Sequence, residues 1–176
     1  QQGWLTSGEV LVAAIVAFAA AFIPGAYLYT FAGWPVLLIG AASITFGVLY
    51  TGGPRPLGYL GLGDVLVLVF FGVVAVCGTY YVQAIRVTGA AVLASLAVGA
   101  LATAILVVNN LRDRVGDERA GKRTLAVRWG PVFARSEYVA LLAVAYALPP
   151  LAVAMGLADP GWLLPLLSAP LAVREA

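Results

Sequence analysis

The sequence predicts an all-α membrane protein, a polytopic bundle of about six transmembrane helices, on three observations. The 176-residue chain is 62% hydrophobic and only 10% charged, where a soluble domain carries about a quarter charged residues. Its mean hydropathy is +0.99. Its apolar runs reach the ~20 residues that span a hydrocarbon core, with no alternating strand pattern, and helices satisfy their own backbone in lipid.

Six spans follow in order. Residues 9–29 form the first. Residues 34–50 form the second, short but bounded by Trp34 and Tyr50, which suit the membrane interface. Residues 64–83 are the third. Residues 89–108 are the fourth, and their helix is expected to continue into residues 109–117. Residues 132–155 are the fifth. Residues 161–173 are the sixth and the shortest, with Pro165 and Pro170 inside. Pro24, Pro149 and Pro150 are expected to kink their helices. Small residues are dense in the spans, as in Ala97-Val98-Gly99-Ala100, and allow close helix approach.

Several classes are excluded. The chain has no histidine and one cysteine, Cys77, which removes Ser-His and Cys-His nucleophiles, His-ligated metals and an internal disulfide. Cys77 reads as a small lipid- or core-facing residue. Nothing points to nucleic acid. No basic segment precedes the first apolar run after Gln1, so no signal peptide is read there, and the chain reads as a piece of a longer protein.

Charge is gathered in one place. Residues 109–128 (NNLRDRVGDERAGKRTLAVR) hold six of the ten bases and three of the eight acids. If the chain starts in the cytoplasm, that side holds Arg55, these six bases, Arg135 and Arg174, against Arg86 alone opposite. Nine against one obeys the positive-inside rule. The loops at residues 51–63 and 112–131 then share the cytoplasmic face of a multi-pass protein of the cell membrane.

Asn109, Asp113 and Asp117 recur every four residues, which on a continued helix forms one stripe, with Asn110 beside it. Carboxylate and amide oxygens suit Mg²⁺, which bridges to phosphate. Arg119, Lys122 and Arg123 follow, the side chains that pair with phosphate oxygens. The plainer reading is a solvated loop whose acids pair with neighbouring bases. Asn109 and Asn110 weigh against it, because polar groups at a membrane-proximal turn are costly.

The same residues carry a resemblance. Asn109-Asn110-Leu111-Arg112-Asp113, then Asp117, then residues 120–128 (AGKRTLAVR) resemble the second aspartate-rich motif of the UbiA superfamily of membrane prenyltransferases. Residues 50–64 (YTGGPRPLGYLGLGD) resemble the branch that prenylates 1,4-dihydroxy-2-naphthoate on the way to menaquinone. The resemblance implies a nine-helix fold around a central cavity, of which residues 1–176, as one transmembrane prenyltransferase domain, hold the third to the eighth helices. It implies Mg²⁺-dependent transfer of a polyprenyl group from an allylic diphosphate to an aromatic acceptor that loses its carboxylate. It assigns Asp113, Asp117, Lys122 and Arg123 to catalysis, Asn109, Asp113 and Asp117 to the metal, and Asn109, Asn110, Arg119, Tyr50 and Arg55 to substrate. The family's first aspartate-rich motif is not among these residues, so the chain alone is expected to be inactive.

Other readings stay open from the residues. The glycine-rich segment 50–64 is a lid over the site or a plain interhelical turn. Asp64 is a ligand-side acid or the N-cap of the third span. Tyr80 and Tyr81 read as interfacial aromatics, and Arg135 and Glu137 as topogenic or paired. A transporter of an anionic or phosphorylated solute is the rival function, but would set its charge near the bilayer midplane.

Overall fold

The computed structural model describes residues 6–175, and the fold is helical throughout. Residues 1–5, which the resemblance sets just after the family's first acidic motif, lie outside the described residues. The helix α1 (Ser7–Ala32) opens with a capping box: the Thr6 hydroxyl accepts from the Glu9 amide, and the Glu9 carboxylate accepts from the Thr6 amide. Gly33 turns the chain into α2 (Trp34–Thr51), with Pro35 in its first turn. After the loop, α3 (Gly63–Ala84) winds as a π-helix over Leu68–Cys77. The longest helix is α4 (Gly89–Arg119), capped by Thr88. Then come α5 (Leu125–Ala154), capped by Thr124, and α6, which starts as a 3-10 helix, Pro160–Ser168, and ends as α-helix Ala169–Glu175.

Five helices, α1 to α5, are long and apolar enough to cross a membrane, so this is a multi-pass membrane protein. The expected sixth span, 161–173, is a shorter apolar helix instead. Pro160, Pro165 and Pro170 each remove a backbone donor there, and the segment winds tightly into 3-10 turns. The fourth span continues as expected. At 1.5 Å per residue, α4 is ~46 Å long, about 16 Å more than a ~30 Å core, and carries Asp113 and Asp117 on its last turns. Inside α5 the break in helical geometry falls at Gly130, ahead of Pro131, and not at Pro149 or Pro150.

The centre of the bundle is α4, packed against α5 and against the π segment of α3. Its buried side chains are small: Ala91, Ser95, Ala100, Thr103, Ala104, with Ala126, Ala134, Ala145 and Ala152 facing from α5. Small residues replace a bulky core because dispersion at close backbone distance, not water exclusion, drives helix association in lipid. The limit is reached where α3 crosses α4. A Cβ on Gly72 would lie 2.6 Å from the Ser95 carbonyl oxygen and 2.7 Å from the Gly99 Cα. By contrast α1 and α2 expose apolar side chains along their length, as lipid-facing helices do. Tyr81 is not simply an interfacial aromatic: its hydroxyl donates to the Ala32 carbonyl at 3.1 Å and fastens the end of α1 to α3.

Gly72→Val is expected to separate α3 from α4 and cost ~1–3 kcal/mol, read as a lower melting temperature in detergent. Gly25→Ala, where a Cβ meets nothing within 4 Å, is expected to melt no lower than the parent.

Candidate functional site: the α4 terminus and the loop before α3

The site begins with how α4 stops. Gly121 takes a left-handed backbone, φ 75°, which costs most residues ~1–2 kcal/mol and glycine almost nothing. The Gly121 amide then donates to the Glu118 carbonyl (3.1 Å), and the Lys122 amide to the Asp117 carbonyl (2.9 Å). This paired closure is a Schellman motif. It folds Lys122 back over the last turn, where Lys122 Nζ meets Asp117 Oδ1 at 2.8 Å. Asp117 is only 7% exposed, and the ammonium supplies the partner that a buried carboxylate needs. Lys122 Nζ also stands 5.5 Å over the Tyr59 ring.

The bond to Asp117 holds the Lys122 ammonium above the ordinary lysine value of 10.5. A raised folded value means that the contribution is fully present below 10.5 and is lost only as pH climbs through the raised value. The pair is therefore constant across the physiological range.

The second loop is tied to this turn. The Arg123 amide donates to the Tyr59 carbonyl (2.9 Å). The Arg128 guanidinium donates through Nη2 to the Leu60 carbonyl (2.7 Å) and through Nε to the Arg123 carbonyl (2.9 Å). Gly61 makes the approach possible: its φ is 72°, and a Cβ there would lie 2.7 Å from the Arg123 carbonyl oxygen. Tyr50, at the end of α2, packs against Gly58, and its hydroxyl would sit 3.1 Å from a Cβ on Gly63. The loop at 51–62 thus closes onto the charged turn.

Not every expected residue joins. Asp113 is exposed and bound by its neighbour Arg112 through two 2.9 Å bonds. Asn109 and Asn110 are half-buried, and Asn109 lines a cavity beside Tyr138 and Leu142. Arg119, Arg123 and Arg55 are exposed, and Arg55 makes no side-chain bond among the described residues. Asp64 is not the N-cap, since Leu62 holds that position without a side-chain bond. Arg135 and Glu137 are not paired among the described residues, because positions two apart point to different helix faces. Sequence reasoning missed Tyr59, Gly61 and Arg128 as loop ties.

Among the described residues no three His, Cys, Asp or Glu side chains gather as a metal cage. The donors present, two carboxylates and amide oxygens along one helix end, fit instead a cation that keeps waters and shares phosphate oxygens.

Comparison with known proteins gives the family of the sequence. The family described as "UbiA prenyltransferase family" matches residues 1–176. The chain is 44% identical over 171 residues to "1,4-dihydroxy-2-naphthoate octaprenyltransferase" of Mycobacterium tuberculosis, covering 97% of this chain and 58% of that protein. It is 46% identical over 141 residues to the protein of the same name in Escherichia coli, covering 80% and 46%. It is 37% identical over 111 residues to "UbiA prenyltransferase domain-containing protein 1" of Gallus gallus, covering 63% and 32%. The chain spans about half the length of the naphthoate octaprenyltransferases it matches. No solved structure gives a significant match.

Gly61→Ala is expected to release the loop from the turn. Amide exchange across residues 57–62 should quicken at least about fivefold, as a cost of ~1–3 kcal/mol in local closure implies. In the parent protein, exchange of the same amides, corrected for the intrinsic rate, should not change between pH 6 and 9.

Proposed function

The chain belongs to the UbiA prenyltransferase family, and from that premise we propose that it carries half of the active site of a 1,4-dihydroxy-2-naphthoate polyprenyltransferase of menaquinone synthesis. The whole protein would transfer a polyprenyl group from an allylic diphosphate to the naphthoate ring. The observation that carries this reading is the joined pair of loops. Ties from Arg123 and Arg128 to the loop carbonyls hold Lys122 and Arg123 beside the acidic end of α4, so cations and carboxylates are presented together where α4 leaves the membrane.

The roles follow from the side chains. Arg119, Lys122 and Arg123 bind phosphate oxygens as cations, with Arg55 and Tyr50 contributing from the facing loop. Lys122 is held in place by Asp117 until a diphosphate competes for its ammonium. Asp113 and Asp117, with Asn109 as a neighbouring oxygen donor and Asn110 toward substrate, would hold Mg²⁺. Bound there, the ion would neutralise the charge that develops on the departing diphosphate. The surrounding apolar helices keep water from the allylic cation and leave the isoprenoid tail in lipid. The charge partition of the loops supports a cytoplasmic site in the cell membrane.

Two outcomes test the assignment in the full-length protein in membranes. Asp113→Ala and Asp117→Ala should each lower Mg²⁺-dependent prenyl transfer by ~100-fold or more, the scale of losing one charge-stabilising contact in a transition state. Near-parental turnover in both would leave the stretch a solvated loop. Lys122→Ala should raise the KM for the allylic diphosphate more than that for the naphthoate, and the reverse pattern would assign Lys122 to the acceptor.

A further inference from the structure

Asp64 is an acid that the site described so far does not use, and it is the most buried acid among the described residues. It lies in the first turn of α3, 5% exposed, and neither carboxylate oxygen has a hydrogen-bond partner among the described residues. A buried carboxylate without a donor is expensive, and more so in a membrane span. The Thr103 hydroxyl faces two backbone carbonyls, Gly99 at 2.8 Å and Asp64's own at 3.4 Å. The neighbouring ionisable groups are Tyr50 and half-buried Glu137, both within range of the Asp64 charge, and among the described residues no base is paired with it. An acid kept in this state is waiting for a donor from outside the chain.

Substrate chemistry says which donor. On the reading given above, two substrates enter. A diphosphate is anionic and only accepts, so a buried carboxylate repels it. An isoprenoid tail has no polar hydrogen. An aromatic acceptor carrying phenolic hydroxyls is the partner that can donate to a carboxylate. A cavity of about 590 Å³ adjoins the spot, lined by Phe46, Tyr50, Leu66, Phe70 and Phe71. Its size and aromatic walls suit a bicyclic ring. Tyr50 lines that cavity and also packs beside Gly63, next to Asp64 in the chain, so a ring lying there comes up to the covered carboxylate once Tyr50 turns aside.

We infer that Asp64 receives a phenolic hydroxyl of the aromatic acceptor and takes its proton during prenyl transfer. The hydroxyl proton passes to Asp64 as the ring carbon bonds to the allylic carbon. The allylic C–O bond breaks, and its electron pair leaves with the diphosphate. When the ring carboxylate departs as carbon dioxide, its electrons restore the aromatic ring with the oxygen as phenolate, and Asp64 returns the proton.

The test uses the full-length protein in membranes, with 1,4-dihydroxy-2-naphthoate and its monomethyl ethers as acceptors. Asp64→Asn is nearly isosteric and removes only the charge. It should lower kcat/KM for the naphthoate by ~100-fold, the usual scale for a proton acceptor, while the KM for the allylic diphosphate stays within about twofold. The parent should reject one monomethyl ether strongly, and Asp64→Asn should lose that discrimination, since the two deletions remove one interaction. Discrimination retained in Asp64→Asn, or a change confined to the diphosphate KM, overturns the inference. A second measurement needs no variant: labelling of Asp64 in the parent by a hydrophobic carbodiimide, mapped by mass spectrometry. The naphthoate should slow that labelling and the allylic diphosphate should not; labelling indifferent to the naphthoate overturns the inference. A parent that transfers no prenyl group sinks the function proposed above. A parent that transfers, with Asp64→Asn behaving like it, sinks only this inference.

Discussion

The left-handed turn at Gly121 is the constraint from which the rest of the charged region follows. It ends α4 by folding the chain back, and the 2.9 Å bond from the Lys122 amide to the Asp117 carbonyl fixes the register of that fold. Lys122 then has one place to put its ammonium, against Asp117. The following residues are aimed at the other loop, so that the Arg123 amide and the Arg128 guanidinium meet the Tyr59 and Leu60 carbonyls. A residue with a Cβ at position 121 would strain this turn, and each later contact would have to find another geometry. Both surfaces of the seam need glycine, Gly121 for its backbone angle and Gly61 also for the 2.7 Å clearance to the Arg123 carbonyl.

This seam sits on a bundle built by the opposite economy. The interior of α4 and α5 is mostly alanine, with glycine at the closest crossing. Such a core holds helices near one another but gives little side-chain volume to interlock. The bundle therefore positions the end of α4 through backbone proximity, and the site is refined by polar ties at the surface. The π-helical stretch of α3 is where that proximity is greatest, with Gly72 against Gly99. Adding a residue to a helical turn shifts the helix face, and such bulges often occur near functional sites. Asp64 lies one turn before this stretch.

What the sequence made legible follows from the length of each signal. Apolar runs of span length gave α1 to α4 nearly to their ends but started α5 at residue 132, where the helix begins at Leu125 ahead of its break at Gly130, and the four-residue spacing of Asn109, Asp113 and Asp117 gave the continued helix. Residues 161–173 misled because composition alone does not register what three prolines do to a short helix. The pairing of the two loops was legible only as a shared face, since no local pattern says that the Leu60 carbonyl will meet Arg128. The resting partner of Asp117 was not legible. Lys122 was read as a phosphate ligand, and its resting partner is the carboxylate five residues before it, through a turn that spacing on a helix cannot describe. Asp64 was weighed as a cap because acids begin helices often; its burial depends on α4, which packs against its turn from a distant part of the sequence.

The acids therefore divide by partner, and the division has chemical content. Asp113 is matched by the neighbouring Arg112 and Asp117 by Lys122 of the closing turn, the arrangement of a surface where anions and cations exchange partners. Asp64 and Glu137 have no such match among the described residues, and Asp64 is buried close to a cavity with aromatic walls. A reaction that joins a charged leaving group to an oily chain and an aromatic ring needs both environments. The diphosphate must meet cations where the helix leaves the bilayer, while the ring must meet a proton acceptor where water is scarce. One helix supplies the first and another the second. α4 carries its acids outward to the loops, and α3 carries its single acid inward at the first turn, and the bond between Arg128 and the Leu60 carbonyl holds the loop just ahead of α3 against the turn that ends α4.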